Sequence, residues 1–89
     1  MAESHSIETL AIHGGQAPDP QTGAVMPPIV LASTFAQSSP GVHQGFEYAR
    51  TDNPTRQTLE RCVASLEGAT SAVAFGSGCA AMTTLFQTL

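Results

Sequence analysis

Lysine is missing from all 89 residues, as is tryptophan, and the positive charge rests on Arg50, Arg56 and Arg61 against seven carboxylates. The resulting net charge of −4 excludes a nucleic-acid reader that works by neutralising phosphates. Charge of either sign is scarce, 11% of residues, while 42% are apolar. An ordinary soluble domain carries about 25% charged residues, so this surface is expected to be covered by something. No apolar run approaches the roughly 18 residues of a membrane span, and the opening MAESHSIETL lacks the basic region and apolar core of a secretory leader. The cytoplasm is therefore the expected compartment, with no membrane partner. Cys62 and Cys79 are the only cysteines and form no C-x-x-C pair, which argues against a zinc site and a disulfide framework. Both are expected to be reduced, buried small residues. His5, His13 and His43 show no metal-ligand spacing, so no metal is expected, and all three read as structural or exposed.

What is present has a clear order. Ile7, Leu10 and Ala11, preceded by Ser6 and followed by Gly14-Gly15, predict a short helix capped at Ser6. Residues 16 to 45 hold all the prolines but Pro54, and Pro27-Pro28 imposes an extended backbone. This stretch reads as an arm, and its apolar run Ile29 to Phe35 suits an arm lying on another surface. Asn53-Pro54 then starts a second helix that runs to about Glu67 and stops at Gly68, with Leu59, Cys62, Val63 and Leu66 as a buried stripe. Arg56 and Glu60 form an i,i+4 pair on its flank. Ser71 to Phe75 predicts a buried strand leading into Gly76-Ser77-Gly78, and a third helix begins at about Cys79 with the stripe Met82, Leu85, Phe86, Leu89. One strand cannot satisfy its own backbone groups. The chain is expected to be the front part of a larger α/β protein or to complete its sheet with another polypeptide.

Two elements carry chemistry. A glycine turn leading into a helix exposes unpaired N–H groups and a partial positive charge that suit a phosphate, although such a turn can also be a mere connection. It matches neither G-x-G-x-x-G nor the Walker pattern. The second element is Glu47-Tyr48-Ala49-Arg50, where alternation along an extended backbone puts Tyr48 and Arg50 on one side. Arginine offers a forked, charge-assisted grip on phosphate and the phenol a further donor. The plainer alternative is Tyr48 packed at an interface with Arg50 paired to Asp52 in solvent.

The runs IHGGQAPDPQTGAVMPPI, GFEYARTDNPTR and LEGATSAVAFGSGCAA resemble the trans-sulfuration enzymes, the pyridoxal-phosphate (PLP) enzymes of Cys/Met metabolism, in ordered blocks over residues 9 to 82. The resemblance implies an aminotransferase-like α/β fold, fold type I, of which residues 1–55 are an N-terminal arm reaching a neighbouring protomer. Residues 56–89 would begin the PLP-binding domain. It further implies that Tyr48 and Arg50 contact the neighbour's cofactor phosphate. The backbone of Gly78 and Cys79, with Ser77 beside them, would hold the phosphate of their own protomer. Position 79 is commonly Met or a similar apolar residue in this family, and a backbone contact survives the change to cysteine. Glu47, as in the cystathionine-handling members, would lie near the distal amino group of the substrate.

The family attaches its cofactor through a lysine, and this chain has none, so it cannot be the whole catalyst. The lysine and the other catalytic groups are expected beyond Leu89. The implied activity is a PLP-dependent carbon–sulfur lyase resembling the cystathionine γ-lyases, with γ-elimination of L-cystathionine to cysteine, 2-oxobutyrate and ammonia. The alternatives are γ-replacement on an acylated homoserine, as in the cystathionine γ-synthases, or a non-catalytic fragment that assembles with a partner chain. The implied assembly is a homotetramer built as a dimer of dimers, with a small amino acid as substrate.

Overall fold

The computed structural model describes residues 5–89; the first four residues of the expected arm lie outside the described residues. Helix α1 spans Ile7–His13. Ser6 caps it by accepting the Thr9 amide, and Glu8 and His13 place a carboxylate and an imidazole at the ends of the helix dipole that suit them. Seven residues do not hold a helix alone. Its support is α2, Pro54–Glu67, whose Cys62 thiol reaches the Leu10 and Ala11 carbonyls at 3.6 Å.

The contact between these helices is close because glycine makes it so. Gly15 has φ +67°, and a Cβ there would stand 2.7 Å from the Arg61 carbonyl oxygen. At Gly14 a Cβ would meet Leu10 O at 2.6 Å and Ser65 Oγ at 2.8 Å. Gly14 and Ala64 are the buried residues among those described, so the core sits at this crossing.

The sequence between the helices folds back on itself. Residues 27–32, which Pro27-Pro28 keeps out of any helix, carry no helix or strand assignment and are tied to the start of α2. Val30 N–H donates to Thr55 Oγ1 at 2.8 Å, and Asn53 Nδ2 lies 3.4 Å from both the Val30 and Ala32 carbonyls. Residues 33–35 then run antiparallel to 47–49, through Phe35 N–H to Glu47 O, Ala49 N–H to Ser33 O and a bridge between Thr34 and Tyr48. Beyond them β1, Gln37–Ser39, pairs with β2, Val42–His43, with Gln37 opposite His43 and an irregular register. The Phe35 and Phe46 rings meet across the two legs, 5.6 Å between centroids. The expected plain arm is thus an irregular hairpin. Pro40-Gly41, with Gly41 at φ +80°, is the residue choice of a tight turn that marks its tip.

Asn53 caps α2 by accepting the Thr55 amide, Pro54 occupies the first position, and Gly68 closes the helix in the left-handed conformation, as expected. The buried stripe is corrected. Leu59 and Val63 are 55% and 40% exposed, because α1 covers the Ala64 side of α2 instead. The strand expected at Ser71–Phe75 is also corrected. These residues carry no strand assignment among the described residues, since no second strand lies beside them. The Ala74 amide is satisfied by Glu60 Oε2 at 2.9 Å, which fastens this segment to α2.

Helix α3, Gly78–Thr88, starts one residue before its expected position with Ser77 as cap. Its stripe is not buried either: Met82, Leu85, Phe86 and Leu89 are 53–90% exposed, and α3 packs on no other element among the described residues. The radius of gyration, 15.2 Å, exceeds the roughly 12 Å of a compact domain of this length for the same reason.

Candidate cofactor site

The start of α3 presents donors without acceptors. Ser77 Oγ accepts the Ala80 amide at 3.1 Å, and the Ser77 carbonyl accepts that of Ala81. The N–H groups of Gly78 and Cys79 meet no acceptor among the described residues. Gly76 and Gly78 have nothing within 4 Å of where a Cβ would stand, so the approach to these donors is open. Cys79 is exposed rather than buried, a correction that follows from its place on the first turn of an uncovered helix. Two orphan amides at the positive end of a helix dipole fit a phosphate.

Tyr48 and Arg50 are brought together by a route other than the expected one. Alternation ends at Tyr48: a turn follows, in which Thr51 and Asp52 N–H both donate to the Tyr48 carbonyl at 3.0 Å. This turn folds the Arg50 guanidinium over the Tyr48 ring, 5.2 Å from its centroid. The alternative pairing of Arg50 with Asp52 is not found. Asp52 turns to α2, where Oδ1 lies 3.3 Å from Arg56 Nη2 and accepts the Asn53 amide at 2.9 Å. Arg56 Nη2 also donates to the Thr51 carbonyl, and its Nε lies 3.7 Å from Glu60 Oε2, the expected i,i+4 pair. Arg50 keeps its charge uncompensated by any carboxylate among the described residues.

Glu47 stands one residue before this pair with its side chain 45% exposed, and Oε2 lies 3.8 Å from His43 Nε2. Sequence reasoning took His43 as structural or exposed; the signal that sets it beside Glu47 is its place four residues earlier, with Gly45 between. The described residues hold no group of three or more His, Cys, Asp or Glu arranged to bind a metal ion. No hydrogen bond or ion pair joins the Glu47–Arg50 segment to the start of α3 among the described residues.

A family model described as the Cys/Met metabolism PLP-dependent enzymes matches residues 8–89. The chain belongs to this family. It is 60% identical over 87 residues to the cystathionine beta-lyase of Coxiella burnetii, a match covering 98% of this chain and 22% of that protein. With a probable cystathionine gamma-synthase of Herpetosiphon aurantiacus it shares 52% identity over 85 residues, 96% of this chain and 27% of that one. The crystal structure of cystathionine gamma-lyase from yeast superposes with a TM-score of 0.83 at 46% identity, covering 100% of this chain and 23% of that chain. The chain thus spans about a quarter or less of the relatives it matches, and its fold class is that of these PLP-dependent α/β enzymes, of which it is a small portion. The family cofactor is pyridoxal 5′-phosphate, and the donors at the start of α3 fit its phosphate.

Proposed function

We propose that this chain is the cofactor-anchoring portion of a PLP-dependent carbon–sulfur lyase that cleaves L-cystathionine by γ-elimination. The reading rests on one observation above the others. An exposed carboxylate, Glu47, stands beside an arginine–tyrosine pair whose positive charge no carboxylate among the described residues neutralises. Such a combination suits a site that holds a phosphate next to a substrate bearing a second, distal ammonium group. Bound PLP supplies an electron sink for negative charge developing on the carbons of the amino acid. This chain contributes the grip: Gly78 and Cys79 donate backbone N–H groups to the phosphate, with the Ser77 hydroxyl beside them. Arg50 and Tyr48 donate to the phosphate held by a neighbouring protomer. Glu47 receives the distal ammonium and orients the thioether.

The two halves of the grip are assigned to different protomers. Residues 1–55 form the arm that crosses to a neighbour, and residues 56–89 open the PLP-binding domain. Support comes from both donor groups having no acceptor or carboxylate partner among the described residues. The assembly proposed is a homotetramer, a dimer of such dimers, acting in the cytoplasm; no helix among the described residues is long and apolar enough to cross a membrane.

Product analysis of the full protein tests the reaction. With L-cystathionine alone, release of 2-oxobutyrate and cysteine supports γ-elimination. Release of pyruvate and homocysteine marks a β-lyase, the activity named for the Coxiella burnetii relative. Formation of cystathionine from an acylated homoserine and cysteine, without cleavage, marks a γ-synthase. A preparation that takes up no PLP and turns over none of these substrates overturns the enzymatic reading in favour of a non-catalytic fragment.

A further inference from the structure

We propose that His43 is a positioning residue for Glu47, fixing the carboxylate that meets the substrate's distal ammonium; this rests on the reading of Glu47 given above. The hairpin constrains both groups. His43 closes β2 opposite Gln37, and the Gln37 side chain itself accepts the Gly41 amide at 2.8 Å, so the backbone that carries the imidazole is set by the tip of the hairpin. Gly45 then turns with φ +112°, a conformation side-chain-bearing residues rarely adopt, and its N–H donates to His43 Nδ1 at 3.0 Å. An Nδ1 that accepts leaves the proton of the neutral ring on Nε2. That nitrogen faces Glu47 Oε2 at 3.8 Å. The glycine therefore selects the tautomer, whose protonated Nε2 stands near one carboxylate oxygen, beyond direct hydrogen-bond length but close enough to attract it. The second oxygen remains for the ligand, on a side chain that is 45% exposed while the imidazole is 29% exposed. The arrangement biases the carboxylate toward one orientation without neutralising it, which lowers the ordering cost of receiving an ammonium.

The test uses the full PLP-loaded enzyme with two substrates: L-cystathionine, and an S-alkyl-L-homocysteine whose distal arm carries no charge. His43→Phe keeps a ring and removes the N–H; His43→Gln restores an amide donor near the Nε2 position. The expected result for His43→Phe is a KM for cystathionine raised about three- to tenfold with kcat within about twofold, and no change in KM for the uncharged thioether. His43→Gln recovers most of the loss, and His43→Phe adds nothing in a Glu47→Gln background. Equal losses on both substrates, a change in kcat alone, or a His43→Phe protein that loses its fold would each assign His43 a structural role and overturn the proposal. If Glu47→Gln raises the cystathionine KM while His43→Phe does not, the proposal fails and the reading of Glu47 stands. If Glu47→Gln leaves that KM unchanged, the reading of Glu47 fails first.

Discussion

Asp52 is held by Arg56, not by the nearer-in-sequence Arg50: its Oδ1 lies 3.3 Å from Arg56 Nη2, while Gln57 Nε2 approaches Oδ2 at 3.4 Å. Both partners belong to α2, so the helix draws away the carboxylate two residues from Arg50. The guanidinium over Tyr48 is left with its charge available to a ligand from outside the chain.

Removing that charge has a direct consequence. Arg50→Ala in the full protein is expected to raise the dissociation constant for PLP at least about tenfold, the worth of one charge-assisted hydrogen bond. A titration followed by cofactor fluorescence or absorbance measures it, and unchanged occupancy would remove Arg50 from the site.

Arg56→Ala acts on the same quantity at a distance. It frees Asp52, which can then turn toward Arg50, so PLP affinity should fall by less than in Arg50→Ala. Adding Asp52→Asn should restore it. If the double variant binds no better than Arg56→Ala alone, the helix does not guard the charge of Arg50.

The crossing of α1 and α2 gives a prediction on stability. Gly15→Ala combines a positive φ with a Cβ directed at the Arg61 carbonyl, and backbone cannot yield as a flexible side chain would. A loss of about 1–3 kcal/mol is expected in denaturant melts of the full protein.

Asn53 performs two tasks that substitution can separate. Asn53→Ala removes the cap of α2 and the link to the arm, at a cost of about 1 kcal/mol from the cap alone. Asn53→Asp keeps the acceptor for Thr55 N–H but sets a carboxylate against the Val30 and Ala32 carbonyls. It should preserve helix stability while making residues 27–32 more susceptible to proteolysis. Equal cleavage of wild type and Asn53→Asp would show that Thr55 carries the link unaided.

The helices were legible because their signals are local. Ser6, Asn53 with Pro54, and Gly68 each act on amides or carbonyls within a few residues, and each does in the structure what its residue type suggests. Burial was not legible, because it depends on what lies opposite. The stripe of α2 is apolar at Leu59 and Val63, yet the neighbour present is α1, which packs on the Ala64 side. Ser71–Phe75 has the composition of a strand but lacks a second strand to become one. The hairpin escaped notice because Gln37, Ser39, Val42 and His43 show no alternation, and only Pro40-Gly41 announced a reversal. At the site, residues named from the resemblance lie on two surfaces that the described chain does not join. His43 read as structural or exposed because its contact with the Gly45 amide depends on a glycine turn that spacing alone does not show.

The uncovered face of α3 bears on how such a protein is made. Met82, Leu85, Phe86 and Leu89 form the kind of exposed apolar row that holdase chaperones and other unfolded chains capture. A solubilising change such as Leu85→Lys would quiet this stretch while it is newly synthesised, yet would set a charge in a row that any covering surface would have to bury. Expression yield and final stability therefore pull this helix in opposite directions, and a variant selected for one should be screened for the other.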